Sequence, residues 1–198
     1  MPEFDFFDHH HSHAASSFYP SPFEEAAILT CDFRGEFETT TMGFGKGNEI
    51  KTLEKMFIPH SLGVLYSSFT ELLGYQVDGD EWKVMALSAF DVDCSSHLEK
   101  IKSTYRLLDN GLLELDVNYY KAAILGQPNL YTENLVKLLD GRVGIKGEEP
   151  DQWHYSIKSY TTNIFPININ TIRTSRFKFF FKIWIFIIHT IIKAKLSF

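Results

Sequence analysis

The chain has 198 residues, 44% of them hydrophobic and 15% aromatic, a balance that suits a globular protein with one ordinary core and excludes a disordered chain. Its formal charge is -6, and all 25 acidic residues lie at or before Asp151 with 12 of the 19 Lys and Arg, so the body offers no basic face and no nucleic-acid partner is expected. Residues 152–198 hold the other 7 basic residues and no acid, a compositional break that marks a boundary.

Phe4, Phe6 and Phe7 read as the last part of a strand arriving at the histidines that follow, so the chain is expected to begin inside a sheet. His9 to Phe18 suits a short, alanine-rich helix, stopped by Tyr19-Pro20-Ser21-Pro22 because proline lacks an amide donor and restricts the residue before it. Glu25 to Asp32 is a run of small and apolar residues expected of a buried strand. Arg34-Gly35 is the expected turn, and Glu36 to Phe44, which alternates with threonines, is the adjoining strand. Gly43-Phe44-Gly45-Lys46-Gly47 resembles a phosphate-cradling loop. It lacks a Ser or Thr after its lysine and has the wrong glycine spacing, so it reads as a plain hairpin turn.

Ser61 to Gly74 places Leu62, Leu65, Phe69, Leu72 and Leu73 at helical spacing, between start and stop signals at Pro59 and Gly74, and predicts a core helix. Trp82 to Phe90 predicts a second helix and Leu98 to Leu107 a third. Leu107 to Tyr119 predicts a hairpin turning at Asp109-Asn110-Gly111. The mixture, without an internal repeat, favours an α/β or α+β layer architecture.

Cys31 and Cys94 show no metal-type spacing, and no charged-then-apolar leader precedes them, so a reducing cytoplasm is expected. Cys31, in Ile28-Leu29-Thr30-Cys31, reads as a buried small hydrophobe.

The chemistry lies in His9-His10-His11-Ser12-His13. His9 and His13 are four apart and project from one helix face, where two imidazoles can share a divalent metal of iron or zinc type. A third ligand, usually a carboxylate, has to come from elsewhere in the fold. Spacing alone leaves a second reading open, a solvated or tag-like tract that binds metal adventitiously. His10 and His11 turn away from that face and read as solvent-facing or as packing behind the pair.

The run HHHSHAASSFYPSPFEEAAILT, from His9 to Thr30, closely resembles the nodulation and antibiotic O-carbamoyltransferase family. The similarity continues through Thr39-Thr40-Thr41-Met42-Gly43, Gly45-Lys46-Gly47-Asn48, Phe57-Ile58-Pro59-His60-Ser61-Leu62-Gly63 and Trp82-Lys83-Val84-Met85, and covers residues 4 to 158, fading after residue 105. The resemblance implies a partial actin-like ATPase fold of the acetate and sugar kinase type, in which His9 and His13 are metal ligands. It places Asp32 as a catalytic carboxylate close to the nucleotide. It further implies ATP and carbamoyl adenylate, a small-molecule carbamoyl donor and a hydroxyl acceptor.

Two departures stand out. Phe33 occupies the first glycine position of the family's Asp-Gly-x-Gly-Glu pattern, which bears on close backbone approach to a ligand, and Ala86 to Asp91 replaces a stretch with two glycines and a proline. The resemblance also places the family's opening strands before Met1, and a third metal ligand with an adenylate-forming domain after residue 160. The expectation is therefore a fragment incomplete at both ends, with residues 1–160 as a partial catalytic domain, inactive alone. The alternatives are a non-catalytic metal- or nucleotide-binding remnant, or a membrane-associated protein.

The membrane alternative rests on the tail. Residues 161–198 are expected outside the fold, and their apolar stretch from 177 to 192 is interrupted by Lys178, Lys182 and His189. It falls short of the roughly 18 to 20 uninterrupted apolar residues of a spanning helix, so a tail anchor is the minor reading.

Overall fold

In the computed structural model, which describes residues 4–87, 95–121 and 129–161, helix α1 (His9–Phe18) begins at Asp8. The Asp8 carboxylate accepts the His11 amide at 2.7 Å and so satisfies one of the donors that a helix start leaves free. The helix closes with the Tyr19 amide donating to the Ala15 carbonyl at 3.1 Å, just before Pro20. Its buried residues are His10, Ala14 and Phe18, one inward stripe at four-residue spacing.

Strands β1 (Glu25–Gly35), β2 (Glu38–Lys46) and β3 (Glu49–Phe57) form an antiparallel meander in the order β1-β2-β3. Strand β1 works on both faces. Ala26 and Ile28 pack with Ala14 and Phe18 of α1, whereas Leu29, Cys31 and Phe33 point to the opposite side and join the main core. Burial of alternate residues on two different partners explains why Glu25 to Asp32 reads as a near-continuous apolar run.

The main core is organised by α2 (Leu62–Leu72), on which Phe69 and Leu72 are fully buried. Around it lie Val84 of α3 (Glu81–Leu87), Ile101 of α4 (Ser95–Lys102), and Leu113 and Leu115 of a hairpin, β4 (Tyr105–Leu107) with β5 (Leu113–Leu115). Leu135 of α5 (Glu133–Leu138) and Ile157 of α6 (Gln152–Thr161) complete it. The architecture is thus mixed α/β with small antiparallel sheets.

Several expectations are corrected. Residues 4–8 form no strand, and Phe4, Phe6 and Phe7 are exposed, because no strand among the described residues lies beside them to supply a ladder. The β1–β2 turn falls at Glu36–Phe37 and not at Arg34-Gly35. A register shift between Cys31 and Gly35 carries the strand onward until Gly35 pairs with Glu38, and Glu36 takes the positive φ of 60°. The glycine-rich segment is a hairpin, as expected, with its turn at Gly47–Asn48, but it leads into β3, a strand not expected from the sequence.

The third predicted helix ends at Lys102. There the Thr104 hydroxyl lies 2.7 Å from the Ile101 carbonyl and 2.6 Å from the Tyr120 hydroxyl, and the chain turns into β4. The second begins at Glu81 and is described as far as Leu87. The rest of its predicted span to Phe90, Cys94 and residues 162–198, including the apolar stretch 177–192, lie outside the described residues. Among the described residues no helix is long and apolar enough to cross a membrane.

Candidate metal centre

The face of β1 that meets α1 carries Ala26, Ile28, Thr30 and then Asp32. Asp32 Oδ2 lies 2.7 Å from His9 Nε2 and 3.3 Å from His13 Nε2, and the two imidazole nitrogens are 3.0 Å apart. The rings of His9 and His13 meet edge to face with centroids 4.6 Å apart. The side chains of His9, His13 and Asp32 are 39%, 48% and 21% exposed, so the cluster is backed by protein on one side and accessible on the other.

The local chain holds Asp32 in this position. Its second oxygen, Oδ1, accepts the Phe33 amide at 2.7 Å, which leaves Oδ2 for the histidines. The Ser61 hydroxyl lies 2.8 Å from the Phe33 carbonyl and 3.1 Å from that of Asp32, and it also accepts the Val64 amide at 3.1 Å. One side chain therefore caps α2 and ties it to the end of β1. A Cβ on Gly63 would come 2.5 Å from Phe33 Cα, so the first turn of α2 rests directly on the strand backbone. Phe33, where the family pattern has glycine, keeps a negative φ and packs against the main core.

The structure thus brings together all three predicted site residues, the two histidines from one helix and Asp32 from a strand 19 and 23 residues away in sequence, but Asp32, expected as a catalytic carboxylate, stands in the place of the third ligand that the resemblance put after residue 160. His11 is exposed, whereas His10 is buried, which selects packing over solvent for the latter. Burial pushes the His10 imidazole below its ordinary range, while the Glu38 backbone carbonyl pulls the other way. Cys31 is a buried thiol outside any disulfide, and burial raises it to about 11, which disfavours the thiolate at neutral pH. Ser61 and Gly63, in Phe57-Ile58-Pro59-His60-Ser61-Leu62-Gly63, support the site although the sequence pattern alone gives them no role in it. Their signal is a serine at a helix start beside a glycine, after Pro59.

The donor set fits a cation. Around a metal with bonds of about 2.1 Å, neighbouring donors in tetrahedral or octahedral arrangement stand about 3.0 to 3.4 Å apart, close to the distances between these three atoms. Two imidazoles and one carboxylate suit iron or zinc and leave positions open for water or substrate. Among the described residues this is the group of His, Cys, Asp and Glu side chains that converges closely enough to hold an ion.

A family model described as the N-terminus of carbamoyltransferase matches residues 1–140, a stretch that includes His9, His13 and Asp32. The chain belongs to the carbamoyltransferase family. Similar proteins include the nodulation protein NolNO of Sinorhizobium fredii, 42% identical over 106 residues that make up 54% of this chain and 15% of that protein. The nodulation protein NolO of Bradyrhizobium diazoefficiens is 32% identical over 118 residues, 60% of this chain and 21% of its own length. An uncharacterised protein of Synechocystis is 47% identical over 90 residues, 46% of this chain and 15% of its own length. The chain spans about a fifth or less of the length of each of these relatives.

Proposed function

We propose that this chain carries the metal-bearing part of an O-carbamoyltransferase site. His9, His13 and Asp32 hold a divalent cation of iron or zinc type, and a carbamoyl group passes there from carbamoyl phosphate, activated with ATP as carbamoyl adenylate, to an acceptor hydroxyl. The observation that carries this reading is the convergence of the three side chains from α1 and β1. An actin-like ATPase framework, with adenylate formation in a second domain, belongs to the same proposal. A meander followed by a capped helix accords with it.

When bound, the cation supplies polarisation of phosphate and carbamoyl oxygens and stabilises the charge that grows on the leaving group. The protein's own residues do the rest of the binding. His9 and His13 present Nε2 from adjacent turns of one helix. Asp32, oriented through Oδ1 by the Phe33 amide, contributes a negative charge through Oδ2. Ser61 fixes the strand end that bears it, and the exposure of His13 leaves a side from which donor and acceptor approach.

The test is binding of carbamoyl adenylate to the full chain, followed by calorimetry with and without Fe(II) or Zn(II). The proposal expects adenylate to bind only with the cation present and only while His9, His13 and Asp32 are all intact. Adenylate binding indifferent to the cation and to these residues would overturn it.

A further inference from the structure

Thr30 and Asp32 stand on the same face of β1 and receive neighbouring residues of α1. His10 Nδ1 lies 2.6 Å from Thr30 Oγ1, and His9 Nε2 lies 2.7 Å from Asp32 Oδ2. Thr30 Oγ1 is in turn 2.8 Å from Thr41 Oγ1, its partner across the β1–β2 ladder. Helix, first strand and second strand are thus joined through a line of three side chains that are 2%, 4% and 5% exposed.

The rest of the inward stripe of α1 is Ala14 and Phe18, packed against Ala26 and Ile28. Such contacts are non-directional and leave a helix free to slide or roll by fractions of an ångström. A buried hydrogen bond is directional and stronger in low dielectric, and it fixes what apolar packing leaves soft. His10 makes this bond through Nδ1, while its buried Nε2 makes no well-formed hydrogen bond among the described residues. A leucine there would fill the space without leaving a buried nitrogen unmatched, so filling the core alone gives no reason for an imidazole.

We propose that His10 is a positioning residue for the His9–His13–Asp32 cluster, its bond to Thr30, backed by Thr41, setting the height and roll of α1 over β1 and so holding both imidazoles at ligating distance from Asp32. The functional consequence rests on the metal-binding reading of that cluster. The placement itself does not need the cation, and this separates the two in an experiment.

Full chains carrying His10→Leu, His10→Asn and Thr30→Val are compared with the parent. The first readout is metal-free: the proton NMR cross-peak between the His9 ring and the Gly35 α-protons, which are in close contact. The second is Co(II) affinity and visible absorption. His10→Leu and Thr30→Val are expected to remain folded, to weaken the cross-peak and to bind Co(II) about tenfold less tightly. His10→Asn, whose amide nitrogen falls near the Nδ1 position, restores both. If His10→Leu does not fold, the isosteric Thr30→Val carries the test. Folded variants that keep the cross-peak and bind Co(II) like the parent would overturn the proposal. A cross-peak lost in the variants while the parent itself takes up no Co(II) would uphold the positioning role and refute the metal reading instead.

Discussion

The His9 ring occupies the space a side chain on Gly35 would need: a Cβ added there would stand 2.1 Å from His9 Cδ2. The His9 ring therefore lies against the end of β1 as closely as a bare glycine permits, and a side chain at position 35 would compete with it for this space. Gly35→Ala is expected to push the imidazole off Asp32. Cation affinity measured by calorimetry falls by at least about tenfold, with a loss of about 1 to 3 kcal/mol in stability from overpacking. Parent-like affinity in a folded Gly35→Ala chain would show that His9 does not need this approach.

Ser61 serves two elements with one hydroxyl, capping α2 through the Val64 amide and reaching the Phe33 carbonyl at 2.8 Å. Removing it in Ser61→Ala costs about 1 to 2 kcal/mol, the upper range reached because the strand carbonyls lose a donor as well. Urea denaturation reads the stability, and the same sample titrated with Zn(II) reads the effect on Asp32. A destabilisation accompanied by weaker binding is expected. A stability change near zero would mean that the hydroxyl neither caps nor ties.

Much of this was legible in the sequence because the signals were local. Asp8 to Pro20 marks α1 by its alanines and its proline stop, Ser61 to Gly74 marks α2 by leucine spacing, and the four-residue separation of His9 and His13 puts them on one face whatever the tertiary fold. What was not legible depends on partners distant in sequence. Strand β3, EIKTLEKMF, is largely exposed and interspersed with charge, so its hydrophobic pattern is faint. The approach of Asp32 to the histidines follows only once α1 lies across β1. The burial of His10 needs the same knowledge, because a helical wheel gives the stripe His10-Ala14-Phe18 without saying what covers it. The turn at Glu36 was misplaced by one residue pair because Gly35, the obvious turn former, is used for close approach to His9 instead.

Lys158 on α6 is fully buried with Nζ 2.8 Å from the Tyr66 hydroxyl, and burial lowers its ammonium group to about 7. An unfolded lysine titrates near 10.4, so between about pH 7 and 10 the unfolded chain binds more protons than the folded one and stability rises with pH. Below about pH 7 both states are protonated and the penalty is fully present. Urea midpoints are expected to increase from pH 7 to pH 9.5 in the parent, and the increase should flatten in Lys158→Met. An identical pH slope in both chains would contradict this account of Lys158.

The central claim is that three side chains from α1 and β1 form one cation site. Its most direct test is calorimetric titration of the full chain with Zn(II), beside His9→Ala, His13→Ala, Asp32→Ala and, as a control at an exposed position of the same tract, His11→Ala. The account predicts one cation per chain in the parent and in His11→Ala, with affinity lost in each of the other three. A parent that takes up no cation, or an Asp32→Ala chain that binds as tightly as the parent, would contradict it.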